Sequence, residues 1–359
     1  MRGLYDHTAF IPPFGGVAKY HVEVMKRLPP HMYILSAIGS GNQYLRESGL
    51  GHFTLPKHIR GAKYWMTPVT AAMMRFARYD IYHPTTYDAH LQFLPKRKKI
   101  VVTVHDLNMV TVPQYYRDVN RVWPSLADQK KVTQRADHII AVSENTKGDL
   151  INYWNIPEEK ITTIYHGITP VLDDLSPERV FPFDYILYVG ARNTYKNFYN
   201  CLCAFRQINS RFKDIKFVCT GLAFSSDEKR LIDGFGLTNE VFGISASEEQ
   251  MARLYRDAKL FVYPSFYEGF GMPILEAMQN HCPVALSNAS CFPEVAKDAA
   301  AYFDPNNVDD MIDAMLKIIE QDSYRDTLIR MGDSRFRNFS WEKCAEKHMN
   351  LYKPFSRYM

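Results

Sequence analysis

Tyr263-Pro-Ser-Phe-Tyr-Glu268-Gly-Phe-Gly-Met-Pro-Ile-Leu-Glu276-Ala-Met278 is the stretch on which the reading of this 359-residue chain turns. The apolar run Leu260-Phe-Val-Tyr263 reads as a buried strand, and Pro273 is placed as the first residue of a helix carrying Leu275, Glu276 and Met278. Gly269 and Gly271 let the backbone between them approach a ligand closely, and the first N–H groups of the helix point outward without internal partners. That combination is an anion site of the phosphate-binding kind. Glu268 in the loop and Glu276 about one turn into the helix can both accept hydrogen bonds from hydroxyl groups. A polyol joined to a phosphate fits such a site. Read as an ordinary strand, turn and helix with surface acids, the two-glycine turn has no packing reason.

Working outward, the same strand-to-helix turn recurs. Tyr185-Ile-Leu-Tyr-Val-Gly190 is a strand, followed by Ala-Arg192-Asn-Thr-Tyr-Lys196-Asn197 and a helix to about Phe212. Two cations four residues apart at the end of a strand form a pair able to neutralise a diphosphate. Ile100-Val-Val-Thr-Val104 is a strand with His105-Asp106 at its carboxyl end, where ligands sit in open α/β sheets. The segment Arg2 to Ile11 reads as a strand, broken by Pro12-Pro-Phe-Gly15-Gly16. Val17, His21, Val24 and Leu28 then recur at helical spacing, so Gly15 and Gly16 lie before a second helix N-terminus.

The intervening chain supplies further α/β units. A helix from Val122 to Ala136 precedes the strand Ile139-Ile-Ala-Val142, and Ser143 reads as the N-cap of the next helix. Ile161 to Tyr165 is a strand, and the polar, proline-punctuated residues 169–184 read as a linker. Beyond Tyr185 come a strand from Ile215 to Cys219, a turn at Val241-Phe-Gly-Ile244, a helix with Met251, Leu254 and Tyr255, and a strand at Pro283-Val-Ala-Leu286. Asn338-Phe-Ser-Trp341 introduces a terminal helix. The fold class is therefore α/β, with boundaries at 1–175, 176–337 and 338–359.

The length suits two domains with cores of their own, and 46% hydrophobic with 23% charged residues is the balance of a globular protein. No run reaches the ~18 apolar residues of a spanning helix and no signal-peptide core follows Met1, so the expected location is the cytoplasm. The six cysteines have neither a disulfide rhythm nor zinc spacing and read as reduced, mostly buried thiols. Net charge is about +5 over residues 1–178 and about −1 beyond. Lys57, Arg60, Lys63, Arg75 and Arg78 stand among Tyr64, Trp65, Met66 and Phe76, followed by Lys96-Arg-Lys-Lys99. Such a stretch either contacts an anionic membrane surface or packs as a core helix with a charged rim. No nucleic-acid partner is expected. There is no Gly-x-Gly-x-x-Gly, which argues against a nicotinamide or flavin dehydrogenase.

The Glu-x7-Glu run with Pro-Ser-x-Tyr-Glu-Gly-Phe-Gly around it resembles the donor site of the family 4 retaining glycosyltransferases (glycosyl transferases group 1), and the likeness extends from the glycine loop to Phe339-Ser-Trp341. The resemblance implies the GT-B fold, two facing Rossmann-like domains with parallel sheets, whose C-terminal helix packs back on the N-terminal, acceptor-binding domain. It implies transfer of a hexose from a nucleoside diphosphate sugar, with retention, to a saccharide or lipid-linked acceptor. Gly15 and Gly16 match the loop that closes on the donor; Arg192 and Lys196 match the diphosphate-binding cations. Glu276 matches the residue on the ribose, Glu268 that on the sugar hydroxyls, and the amides of Gly269, Phe270, Gly271 and Met272 would face phosphate and sugar. His105 falls on the family's His-Asp-Leu segment, where it holds a hydroxyl or helps bind acceptor; Asp106 orients that ring or takes the acceptor's proton. No Asp-x-Asp occurs, so no metal and no cofactor are expected. Tyr5-Asp6-His7 with Gly15-Gly16-Val-Ala-Lys-Tyr20 is similar to enzymes of bacterial surface-polysaccharide assembly, which leans toward mannose.

Two other functions suit the same residues. A sugar-nucleotide epimerase on this fold would isomerise the donor without an acceptor, and a non-catalytic nucleotide-binding scaffold would retain the site without turnover.

Overall fold

The computed structural model describes residues 1–37, 39–50, 62–87, 90–116, 124–170, 175–192 and 195–355. The chain divides into two compact units, one of Met1–Gly167 with Ser340–Met359 and one of Ile168–Phe339. Each is built on a six-stranded, wholly parallel sheet with helices in the crossovers.

In the first unit the strands are β1 (Gly3–Tyr5), β2 (Tyr33–Leu35), β3 (Ile81–His83), β4 (Lys99–Val104), β5 (His138–Ala141) and β6 (Ile161–Thr163), ordered β2-β1-β3-β4-β5-β6. Strand order reverses between β1 and β3, so their carboxyl ends border a crevice where chains of this topology bind ligands. β1 stops at Tyr5 and not at Ile11, because the Asp6 carboxylate accepts the Thr8 N–H (2.9 Å) and turns the chain into the short helix Thr8–Phe10. β6 likewise ends at Thr163, before Tyr165. The helix expected from Val122 is Leu126–Arg135, set by a capping box in which Ser125 and Asp128 satisfy each other's N–H groups. Val122 itself lies outside the described residues. Ser143 caps Glu144–Trp154 through the Thr146 N–H.

The second unit holds β7 (Asp184–Val189), β8 (Ile215–Thr220), β9 (Val241–Ile244), β10 (Leu260–Tyr263), β11 (Val284–Ser287) and β12 (Ala301–Phe303), ordered β12-β11-β10-β7-β8-β9. Its central strands are apolar on both faces, as a sheet covered by helices requires, and Tyr185–Tyr188 and Leu260–Val262 are fully buried. Val241–Ile244 is the edge strand β9 and not a turn. Gly243 sits there because a Cβ would come within 2.9 Å of the Phe224 ring, so the glycine makes room for packing and does not signal a bend. The helix after β10 is Met272–Gln279, with Met272 before Pro273 in its first turn.

The C-terminal helix, Trp341–Tyr352, belongs to the first unit and packs against the helix Gly16–Arg27. Ser340 caps it through the Lys343 N–H. Of the six cysteines, all free, only Cys203 is not buried. Among the described residues no helix is long and apolar enough to cross a membrane. Ala62–Phe76 is a helix; Lys57 and Arg60, of the basic and aromatic stretch singled out by sequence, lie outside the described residues.

Candidate functional site

β7 and β10 are neighbours in the second sheet, and strand order reverses between them. The loops that leave their carboxyl ends carry Arg192, Lys196 and Glu268 to Gly271, and the helix Met272–Gln279 follows the second of them. Three successive residues join these loops. The Tyr195 carbonyl accepts the Phe266 N–H (2.9 Å), Lys196 Nζ reaches Glu268 Oε1 (2.6 Å), and the Asn197 side-chain amide donates to the Pro264 carbonyl (3.1 Å). Lys196 crosses the α-carbon of Gly190, where φ is +135° and a Cβ would lie 3.0 Å from the lysine chain. Only glycine accommodates both that backbone and the crossing side chain.

Glu268 is held from every side. Ser265 Oγ donates to its carboxylate (2.9 Å), while Ser290 Oγ donates to its carbonyl (2.5 Å) and accepts its N–H (3.2 Å). Cys291 Sγ also lies 3.2 Å from the Glu268 carbonyl. Burial pushes the Tyr263 hydroxyl and the Cys291 thiol well above their ordinary pKa values, with the Glu268 charge adding to the effect, so both are neutral at pH 7. Sequence reasoning missed Ser265 and Ser290. Ser265 stands three residues before Glu268 in the decisive stretch, and Ser290 in the loop after β11, at the same sheet edge.

Gly271 caps the helix Met272–Gln279 at φ +86°, and a Cβ there would meet Ile274 at 3.0 Å and Phe292 at 3.2 Å. The Phe270 ring turns inward, edge-on to Phe339, and is 4% exposed. Glu276 lies one turn into the helix and accepts from the Tyr255 hydroxyl (3.3 Å). Arg192 points to other partners. Its Nε bonds Glu228 Oε1 at 2.7 Å, and its NH groups donate to the carbonyls of Thr220, Leu222 and Ala223. Burial alone would raise the Glu228 carboxyl, but the Ser225 N–H and Arg192 outweigh it and hold that group below the usual carboxylate range.

His105, Asp106, Gly15 and Gly16 lie in the first unit. The His105 ring is enclosed by Tyr20 (centroids 4.9 Å, perpendicular), His166 (5.7 Å) and His21 (6.2 Å). Its Nε2 is buried without a partner among the described residues, and burial pulls its pKa down to about 4, so the ring is neutral at pH 7. The Asp106 carboxylate accepts the Asn108 N–H (3.3 Å). Gly15 caps the helix Gly16–Arg27, and open space surrounds both glycines. Among the described residues no group of three or more His, Cys, Asp or Glu is arranged to hold a metal.

Two six-stranded parallel sheets, each closed by helices and each presenting loops at its carboxyl edge, make this a GT-B glycosyltransferase fold. Residues 181–335 match the model for glycosyl transferases group 1, and residues 14–171 that for glycosyltransferase family 4. The chain is 30% identical to O-antigen chain mannosyltransferase B of Escherichia coli over 288 residues, covering 76% of this chain and 74% of that one. It is 29% identical to O-antigen chain mannosyltransferase RfbU of Salmonella typhimurium, over 60% of this chain and 59% of the relative. Among solved structures, Anabaena Alr3699/HepE in complex with UDP-glucose superimposes with a TM-score of 0.76 at 17% identity, over 99% of this chain and 100% of that one. The chain belongs to the glycosyl transferases group 1 family, and it is a glycosyltransferase.

Proposed function

We propose that this glycosyltransferase moves mannose, with retention and without a metal, from a nucleoside diphosphate sugar to a saccharide or lipid-linked acceptor in surface-polysaccharide assembly. The observation that carries the reading is the Lys196–Glu268 pair beside the Gly271-capped helix, at the point where strand order reverses. Lys196 and the N-terminal end of the helix Met272–Gln279 supply positive potential where a departing diphosphate gains charge. The amides of Gly269 to Met272 face phosphate and sugar, Glu276 takes the ribose and Glu268 the sugar hydroxyls. With the carboxylate engaged by Lys196, retention runs on one face, and the leaving phosphate takes the acceptor's proton. His105 and Asp106 serve the acceptor side, in the unit of Met1–Gly167 with Ser340–Met359, and the unit Ile168–Phe339 binds donor.

Relatives named O-antigen mannosyltransferases support mannose and polysaccharide assembly, and a neighbour solved with UDP-glucose supports a nucleotide-sugar donor. Exposed Phe76 and Phe93 beside Arg75, Arg78, Lys96 and Arg97 support peripheral contact of the first unit with an anionic membrane at the cytoplasmic face. Flotation with phosphatidylglycerol vesicles tests that contact.

The deciding experiment is calorimetric titration of GDP, UDP and ADP with and without magnesium, followed by transfer from the matching mannose donor to octyl α-mannoside. Metal-independent binding of one nucleotide and an α-linked product support the reading. A β-linked product, or an isomerised donor with no glycoside, would overturn it in favour of inversion or of an epimerase.

A further inference from the structure

The C-terminal helix reaches the His105 enclosure through two of its walls. On one side, Trp341 stacks on His166 (centroids 5.8 Å, 25° between planes). On the other, His348 Nε2 lies 2.8 Å from the Tyr20 hydroxyl, and the Tyr20 ring stands perpendicular to His105.

The second contact belongs to a buried chain of hydrogen bonds whose directions are fully determined. His348 Nδ1 lies 2.8 Å from the Cys344 carbonyl, which has no proton, so Nδ1 is the donor. Burial pulls the His348 pKa down to about 4, so the ring is neutral and its Nε2 accepts from the Tyr20 hydroxyl. Tyr20 has then used its one proton and accepts from Thr103 Oγ1 at 3.1 Å. Thr103 in turn accepts from His83 Nε2 at 3.0 Å. His83 is neutral as well, through burial and the neighbouring histidines, so its Nδ1 accepts from the Tyr352 hydroxyl at 2.5 Å. Tyr352 finally accepts from Tyr5 at 2.7 Å. Every donor is spent in one direction, from Tyr5 to the Cys344 carbonyl, and no member is more than 3% exposed. Reversing any bond leaves a buried group unsatisfied, so the chain holds the Tyr20 ring in a single orientation.

His105 itself has no comparable tether at Nε2, and its ring is oriented by the rings around it. We infer that Trp341, His348 and Tyr20 are positioning residues for His105, so that the C-terminal helix sets the geometry of the acceptor-side imidazole. The inference rests on the reading of His105 given above. It assigns the helix a part in the transfer step and none in nucleotide binding.

The test compares Tyr20→Phe, which removes one oxygen and keeps the wall, with Trp341→Leu, which removes the backing of His166. Histidine-labelled protein is followed by the ring ¹⁵N signals of His105, identified by their loss in His105→Ala. Transfer from the mannose donor of the nucleotide that binds to octyl α-mannoside supplies kcat. Both variants are expected to shift the His105 signals and lower kcat roughly tenfold, with the nucleotide dissociation constant unchanged. Neither is expected to add to the loss in His105→Ala. If Trp341→Leu does not fold, Tyr20→Phe decides alone. Unmoved His105 signals, or losses that multiply with that of His105→Ala, would overturn the inference. A wild-type rate in His105→Ala would instead overturn the reading of His105, and the ring signals would still decide whether the helix orients it.

Discussion

Lys196 Nζ and Glu268 Oε1 are 2.6 Å apart, with side chains only 18% and 13% exposed, and the pair closes the gap between the loops after β7 and β10. Each charge has lost most of its water and depends on the other. A diphosphate entering beside the Gly271-capped helix competes with Glu268 for the ammonium. Lys196→Ala removes the cation the anion needs and is expected to weaken nucleotide binding by about tenfold to a hundredfold, the worth of a charge-assisted hydrogen bond. Glu268→Gln leaves the ammonium unopposed, so nucleoside diphosphate binding is expected to hold or tighten while transfer falls. Calorimetry on both variants checks this, and unaltered affinity in Lys196→Ala would remove the lysine from the donor site.

The Glu276 carbonyl takes the Asn280 side-chain amide at 2.8 Å, while its carboxylate accepts from the Tyr255 hydroxyl at 3.3 Å. That bond is long, and the carboxylate is only partly buried. Glu276→Ala is therefore expected to leave the melting temperature within a few degrees while nucleotide affinity drops by about tenfold. A variant that melts much lower and binds normally would make Glu276 a structural residue.

Arg192 behaves differently because its guanidinium is 5% exposed and already engaged by Glu228 and three carbonyls. Removing it leaves those acceptors without their donor. Arg192→Ala is expected to lose about 1–3 kcal/mol of stability, and to lose less nucleotide affinity than Lys196→Ala. Glu228→Gln should show the same stability loss in weaker form. Thermal denaturation of the two variants and of their double mutant reads the coupling directly.

The contrast between Lys196 and Arg192 shows what the sequence could carry. Both stand in a loop at the end of a strand, and from spacing alone they look alike. Their difference depends on Glu228, which is 36 residues away and reaches Arg192 only once β8 lies beside β7. The strand, turn and helix around Glu268 were legible because glycine, proline and apolar runs act locally. β2, β3 and β12 were not, since three residues make no pattern and their pairing comes from the sheet. Val241–Ile244 misled because Gly243 answers to a ring from another segment. The chain from Tyr5 to Cys344 was invisible for the same reason, joining residues from both ends of the polypeptide.

The buried histidines make the first unit acid-sensitive. His105 and His348 are held at about 4, and burial and neighbouring imidazoles hold His21, His83 and His166 well below 6.5. Between pH 6.5 and 4 the unfolded chain binds protons that the folded unit refuses, so stability is complete above about 6.5 and falls with pH below it. Each histidine contributes a slope of about 1.4 kcal/mol per pH unit in that window. The second unit spans a single histidine, His281, which is exposed. Melting followed from pH 7.5 to 4.5 should show one transition moving down steeply and the other nearly constant. Two transitions moving in parallel would contradict this assignment.

Ser290 separates backbone strain from hydrogen bonding at the candidate donor site. Its hydroxyl bridges the N–H and carbonyl of Glu268, and its own φ is +57°, left-handed for a residue with a side chain. Such a backbone costs on the order of 1 kcal/mol without glycine, and each lost hydrogen bond costs about the same. Ser290→Ala keeps the strain and loses both bonds. Ser290→Gly loses both bonds and relieves the strain, so it should melt higher than the alanine variant. If the hydroxyl matters because it fixes Glu268, the two variants should nevertheless lose transfer equally, several-fold, with nucleotide affinity near wild type. A glycine variant that recovered transfer along with stability would show that Ser290 acts on the donor loop through the backbone, and the bridge to Glu268 would have no part in the reaction.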